Sequence, residues 1–168
     1  MAFQIADVPL IPQTQTWACW YASAQMLITW RRNRTLQTER AHPDPSEVPL
    51  LQGIFAANHG LSLNQIVVLA RQLGLTPVPP MTPSPSALSS WLADCGPLWF
   101  AGLFPAGHAR SGHAVVITGT DDTSVSINDP WPPTVGAKYK LPYVNFGDDL
   151  RPMPTSDGLA PNLLYFRD

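Results

Sequence analysis

The chain has 168 residues, of which 13 % are charged, and 12 acids against 10 Lys and Arg give a formal charge of −2. No basic excess is present to neutralise phosphates, which excludes nucleic acid as the main ligand. No apolar run approaches the ~18 residues of a membrane helix, and the length suits a single domain over residues 1–168.

In chain order, residues 3–16 read as extended, because each proline of Val8-Pro9-Leu10-Ile11-Pro12 pushes its predecessor out of the helical region. A helical pattern runs from Trp17 to Arg32. Trp17, Trp20, Tyr21, Ala24, Leu27 and Ile28 recur at threes and fours, and Arg31, Arg32 and Arg34 close the run with cations. Residues 33–49 read as loop, followed by a short helix over Pro49–Asn58 with Gly60 as its stop. Ser62-Leu63-Asn64-Gln65 has capping-box spacing and opens a helix that Gly74 ends. Residues 76–85 hold five prolines and read as a linker, and Ser84-Pro85 starts a further helix that stops at Gly96-Pro97.

Beyond residue 96 the period changes to that of strands. Leu98–Phe104, His113–Gly119, Ser124–Asp129 and Asn162–Phe166 are the candidates, with a turn at Asp121–Thr123 and a Pro-rich loop over 130–136. Helices lead and strands follow, which predicts an α+β fold with an antiparallel sheet.

Two cysteines are too few for a disulfide framework or a Cys-based zinc site. Cys19 falls in the first turn of the first predicted helix, where the dipole and unpaired N–H groups favour a thiolate. Packing among Trp17, Trp20 and Tyr21 is the competing role. Gln13, six residues earlier, is placed to donate to an oxyanion together with the Cys19 N–H, with Gln15 as competitor. Cys95 ends a helix instead of starting one, so it reads as part of a C-terminal turn.

A cysteine nucleophile needs a base, most often histidine. His113 opens one predicted strand and Asp129 closes the next. If the apolar sets Val115/Ile117 and Val125/Ile127 share a side, His113 and Asp129 are neighbours and Asn128 points away. A one-residue slip would exchange Asn128 for Asp129. His108 sits among Gly, Ala, Arg and Ser and reads as a rim residue, while His42 and His59 read as structural or solvated. No ligand spacing supports a metal.

Gln13-x5-Cys19-Trp20, Gly112-His113-Ala114-Val115-Val116 and Asn128-Asp129-Pro130-Trp131 resemble the signatures of papain-like cysteine peptidases, in the same Cys, His, Asp order. Val8-Pro9-Leu10-Ile11-Pro12-Gln13 ahead of Cys19-Trp20-Tyr21-Ala22 resembles the compact bacterial branch, which includes double-glycine leader peptidases and AvrRpt2-type effectors. The resemblance spans Val8 to Trp131. It implies a papain-like fold, with a helical first half packed against a C-terminal antiparallel sheet. It also implies Cys19 as nucleophile, His113 as base and acid, Asp129 as its orienting group and Gln13 as oxyanion donor. Trp20, His108 and Trp131 would line the substrate site. Papain itself has Asn as third member, where this chain offers Asp129 with Asn128 beside it.

The resemblance implies no cofactor and no metal. The expected substrate is a protein or peptide, with a small residue such as Gly before the scissile bond. The N-terminus has no basic or apolar leader pattern, so the expected setting is a bacterial effector or toxin. It would be delivered by a specialised secretion system into a target-cell cytoplasm, with an immunity protein as partner. A deamidase, an acyltransferase, a peptidoglycan amidase and a non-catalytic binding module remain alternatives on the same fold.

Overall fold

The computed structural model describes residues 2–34, 42–78, 83–103, 112–149, 154–155, 158–159 and 162–167. Helices α1 (Cys19–Arg34), α2 (Pro49–Ala56), α3 (Leu63–Leu73), α4 (Pro85–Cys95) and α5 (Tyr143–Asp149) are joined by strands β1 (Phe3–Gln4), β2 (Leu75–Val78), β3 (Leu98–Leu103), β4 (Gly112–Thr120), β5 (Ser124–Asp129), β6 (Ala137–Pro142), β7 (Pro154–Thr155), β8 (Gly158–Leu159) and β9 (Leu163–Phe166). Among the described residues the main sheet runs β2-β9-β3-β4-β5-β6, with β1 paired to the end of β4. All its pairings are antiparallel. The fold is α+β.

The central strands are apolar on both faces, and the two faces build two cores. Trp99, Ala101, Ala114 and Val116 join α1 and α3 on one side. Phe100, Val115, Ile117 and Ile127 join Leu88 and Leu92 of α4 and Phe146 of α5 on the other. Covering both faces explains why β3 and β4 read as unbroken apolar runs and not as alternations.

The helix ends follow local chemistry. Ser62 and Gln65 form the capping box of α3, and Gly74 closes it in the left-handed conformation at φ 68°. The Ser84 hydroxyl accepts from the Ala87 N–H at the start of α4. Gly96 follows α4 at φ 81°, and a Cβ there would stand 2.5 Å from the Trp30 ring.

Four expectations are corrected. The first helix starts at Cys19, not Trp17, and Trp17 is 51 % exposed. Its apolar spacing continues a helical pattern across residues that remain a loop. The stop after α2 is Asn58 at φ 50°, not Gly60. Asn tolerates this conformation better than most side chains. The supposed linker over 76–85 begins as strand β2, whose Pro77 is accommodated because β2 is an edge strand. Strand β6 and helix α5 lie where the sequence pattern predicts no element. The charged alternation of Ala137-Lys138-Tyr139-Lys140 suits the other sheet edge.

Candidate functional site

Cys19 is the first residue of α1. Its backbone position is set by the loop ahead of it. The Ala18 N–H donates to Gln15 O, and the Ala18 carbonyl accepts from the Tyr21 and Ala22 N–H groups. No acidic residue lies in the first turn of α1, so nothing there competes with the thiol for the positive end of the helix dipole.

Two buried hydrogen bonds pin this turn to the sheet. Trp99 Nε1 donates to Trp20 O at 3.2 Å, and Ser23 Oγ donates to Ala114 O at 3.0 Å. Ala114 follows His113, so the second bond ties the Cys19 helix to the strand that carries the histidine.

His113 lies near the start of β4 and Asp129 at the end of β5. The pairing shifts by one residue between Ile117 and Gly119, so the turn-side pairs Gly119–Ser126 and Thr120–Val125 give way to Ile117–Ile127 and Val116–Asn128, which set the register next to the site. Continuing that register sets Asp129 across from Val115, one diagonal step from His113. His113 Nε2 meets Asp129 Oδ1 at 2.7 Å. Asn128 points elsewhere, and its Nδ2 donates to the carbonyls of Val8 and Pro9 at 3.3 and 3.2 Å.

Cys19 is near enough to the His113 ring to favour its protonated form. With Nε2 committed to Asp129, the nitrogen open to the thiol is Nδ1. Burial alone would push the imidazole pKa down. The hydrogen bond to Asp129 and the interaction with Cys19, with the charges of both, outweigh burial and raise it from 6.5 to about 9. The ring therefore carries its proton through the neutral range and can stabilise an anionic sulfur beside it.

Gln13 is buried at 1 % exposure. Its Nε2 donates to Gln15 O at 2.7 Å and Thr16 O at 2.9 Å, so the amide braces the loop that leads into Cys19. Its backbone joins the two loops of the site: the Gln13 N–H donates to Pro130 O, and Gln13 O accepts from the Thr134 N–H.

The other expected residues are spread around this centre. Trp20 is buried, donates from Nε1 to His59 O and forms part of the wall of a cavity beside Cys19. The Trp131 N–H donates to Asp129 Oδ1 at 2.8 Å, and its side chain is half-buried. His108 lies outside the described residues.

The cavity beside Cys19 has a volume of about 270 Å³ and a mostly apolar lining that includes Trp17, Leu61, Ile66, Trp99 and Ala101. Gly112 and Ala114, the neighbours of His113, complete it. A larger cavity of about 460 Å³, with Gln4, Asn128 and Lys138 in its lining, has neither Cys19 nor His113 in its wall. Among the described residues no group of three His, Cys, Asp or Glu side chains is arranged to hold a metal ion, and no helix is long and apolar enough to cross a membrane.

Sequence reasoning misses Trp17 as an exposed wall residue, Ser23 as a tie to β4 and Tyr139, whose hydroxyl donates to Asp129 Oδ2 at 2.9 Å. Tyr139 is hidden because its strand carries no apolar alternation strong enough to predict. Serine four residues after Cys19 is the one visible signal for Ser23, since that spacing puts both on one helix face.

A model of the papain-like cysteine protease AvrRpt2 family matches residues 2–141. Comparison with curated proteins gives no significant match. The chain belongs to the papain-like cysteine protease AvrRpt2 family: it is a cysteine peptidase, a hydrolase acting on peptide bonds of protein substrates.

Proposed function

We propose that Cys19 is the nucleophile of this peptidase, His113 its base and acid, and Asp129 the group that orients His113. The supporting observation is one imidazole, bonded through Nε2 to Asp129 Oδ1 and interacting with Cys19, which is the first residue of a 16-residue helix. The Cys19 sulfur attacks the scissile carbonyl carbon, and the negative charge moves to the carbonyl oxygen. The Cys19 N–H at the helix start faces that charge, with Gln13 as the second donor. The C–N bond breaks as His113 passes its proton to the leaving amine, leaving an acyl-thioester on Cys19. Water then gives His113 a proton as it attacks the thioester, and the carboxylic acid departs.

The cavity beside Cys19 would take an apolar side chain of the substrate, with a small residue such as Gly at the scissile bond. Trp20, Trp131 and His108 belong to this substrate region in the same reading. The chain acts as one catalytic domain. Its setting is that of a bacterial effector or toxin, delivered by a specialised secretion system into a target cytoplasm, with an immunity protein holding it in check. Membership of the family supports this setting.

The test is N-terminal proteomics on cells expressing wild type or Cys19→Ala. New termini that appear only with wild type, grouped by a common sequence, support endoproteolysis. Toxicity without new termini, or crosslinked or deamidated glutamines in their place, overturns it. Iodoacetamide at neutral pH should label Cys19 far faster than Cys95, and His113→Ala should remove the difference.

A further inference from the structure

Asp129 has two carboxylate oxygens, and His113 uses one of them. Oδ1 accepts from His113 Nε2 at 2.7 Å and from the Trp131 N–H at 2.8 Å. Oδ2 accepts from the Tyr139 hydroxyl at 2.9 Å. Tyr139 arrives from β6, where it pairs with Ile127 while Ala137 pairs with Asp129. Alternation along the strands puts Ile127, Asp129 and Tyr139 on one face. Tyr139 and Asp129 are thus a diagonal cross-strand pair, within reach of a long aromatic side chain. The Tyr139 ring packs against the core that holds Val115, Ile117 and Ile127. Tyr139 is partly buried, and the packing of its ring does not involve the hydroxyl.

We propose that Tyr139 is a positioning residue of the peptidase, whose hydroxyl holds the Asp129 carboxylate in the orientation that keeps His113 turned toward Cys19. This rests on the reading that Cys19, His113 and Asp129 are the catalytic unit.

The terminal torsion of an aspartate is broad. Both donors on Oδ1 hold the same oxygen, so by themselves they leave the carboxylate plane free to swing about it. The Tyr139 bond holds the second oxygen and removes that freedom. Asp129 is buried, and without Tyr139 its Oδ2 would either lack a partner at a cost or turn toward solvent, taking Oδ1 with it.

Among the described residues the titratable groups that meet His113 are Cys19 from α1 and Asp129 from β5, with Tyr139 from β6 behind Asp129. Lys138 and Lys140 pair with Asn128 and Ser126 and project from the opposite face, where Lys140 meets Asp121.

The experiment uses the full chain and needs no substrate. The titration of the His113 ring is followed by NMR, assigned by loss of its signals in His113→Ala, and Cys19 labelling by iodoacetamide is timed at neutral pH. Tyr139→Phe is expected to slow Cys19 labelling about tenfold through the loosened geometry and to move the His113 midpoint off its wild-type value. Neither change should recur when Tyr139→Phe is added to Asp129→Ala, because the hydroxyl acts through that carboxylate. A Tyr139→Phe protein that does not fold is replaced by Tyr139→Met, which is smaller but keeps an apolar side chain without a donor.

A folded variant with wild-type midpoint and labelling overturns the proposal, as does an equal effect in the Asp129→Ala background. If His113→Ala itself leaves Cys19 labelling unchanged, the catalytic reading falls and this proposal with it. Slow labelling in His113→Ala beside normal labelling in Tyr139→Phe removes Tyr139 alone.

Discussion

At the scale of single residues, Gln13 braces its own loop and is also the proposed oxyanion donor, and the two tasks must be separated. In the structure both hydrogens of its amide go to the carbonyls of Gln15 and Thr16, so donating to an oxyanion means releasing one of them. Gln13→Ala is expected to lower kcat by roughly 10²-fold, the usual loss for one oxyanion donor. If iodoacetamide still labels Cys19 at the wild-type rate, the loss belongs to the transition state. If labelling slows equally, Gln13 acts through the loop. Trp17 invites a second test. A half-exposed indole on the wall of an apolar cavity contributes contact area to whatever enters it. Trp17→Ala should raise KM about tenfold for a cleaved peptide and leave kcat within a fewfold, since it removes binding common to ground and transition states.

At the scale of elements, the site is made by three approaches: the start of α1, the start of β4 and the end of β5. The His113–Asp129 approach is legible in the sequence only as far as alternation goes, because burying Val115, Ile117, Val125 and Ile127 on one side brings the two together. The register shift between Ile117 and Gly119 that allows it carries no sequence signal. The approach of α1 is not legible. It depends on Ser23 and Trp99, which bond across from helix to sheet over 91 and 79 residues of sequence. Such a bond leaves no local pattern. Ser23→Ala should cost about 1–3 kcal/mol, read as a fall of several degrees in Tm. It should also slow Cys19 labelling, because the helix start is then free to shift against His113. The strap over Val8 and Pro9 is legible as extended chain, but alternation says of its anchor, Asn128, only that it points away from His113.

At the scale of the whole molecule, the charge state of one ring links the proposed catalysis to stability. The His113 pKa of about 9 in the folded chain lies above the ordinary 6.5. Folding therefore favours the protonated ring. That stabilisation is complete below about pH 6.5 and is lost as pH rises through about 9. The Tm of the wild type should fall over this window, and the fall should be absent in His113→Ala. Peptidase activity should decline on the same alkaline limb as the imidazolium disappears. On the acid side, Asp121 is held well below the usual carboxylate range by Lys140, with bonds from Thr123 and Ser124. It contributes above its ordinary pKa and loses that on acidification, but it sits at the surface, where water screens such pairs.

The amino-acid sequence by itself determined the α+β class, the caps at Ser62, Gly74 and Ser84, and a candidate pairing of His113 with Asp129. These follow from local sterics and from period-two alternation, which act over a few residues and are written in them. The register shift between Ile117 and Gly119 that completes this pairing came from the tertiary structure. Only the tertiary structure decided that α1 begins at Cys19, that Trp17 stands in solvent, that Gln13 spends its amide on its own loop, and that Tyr139 closes on Asp129 from an unpredicted strand. Those outcomes come from contacts between distant segments. The physical reason is that a hydrogen bond or a packed ring is fixed by where two backbones cross, and no single stretch of sequence specifies that crossing.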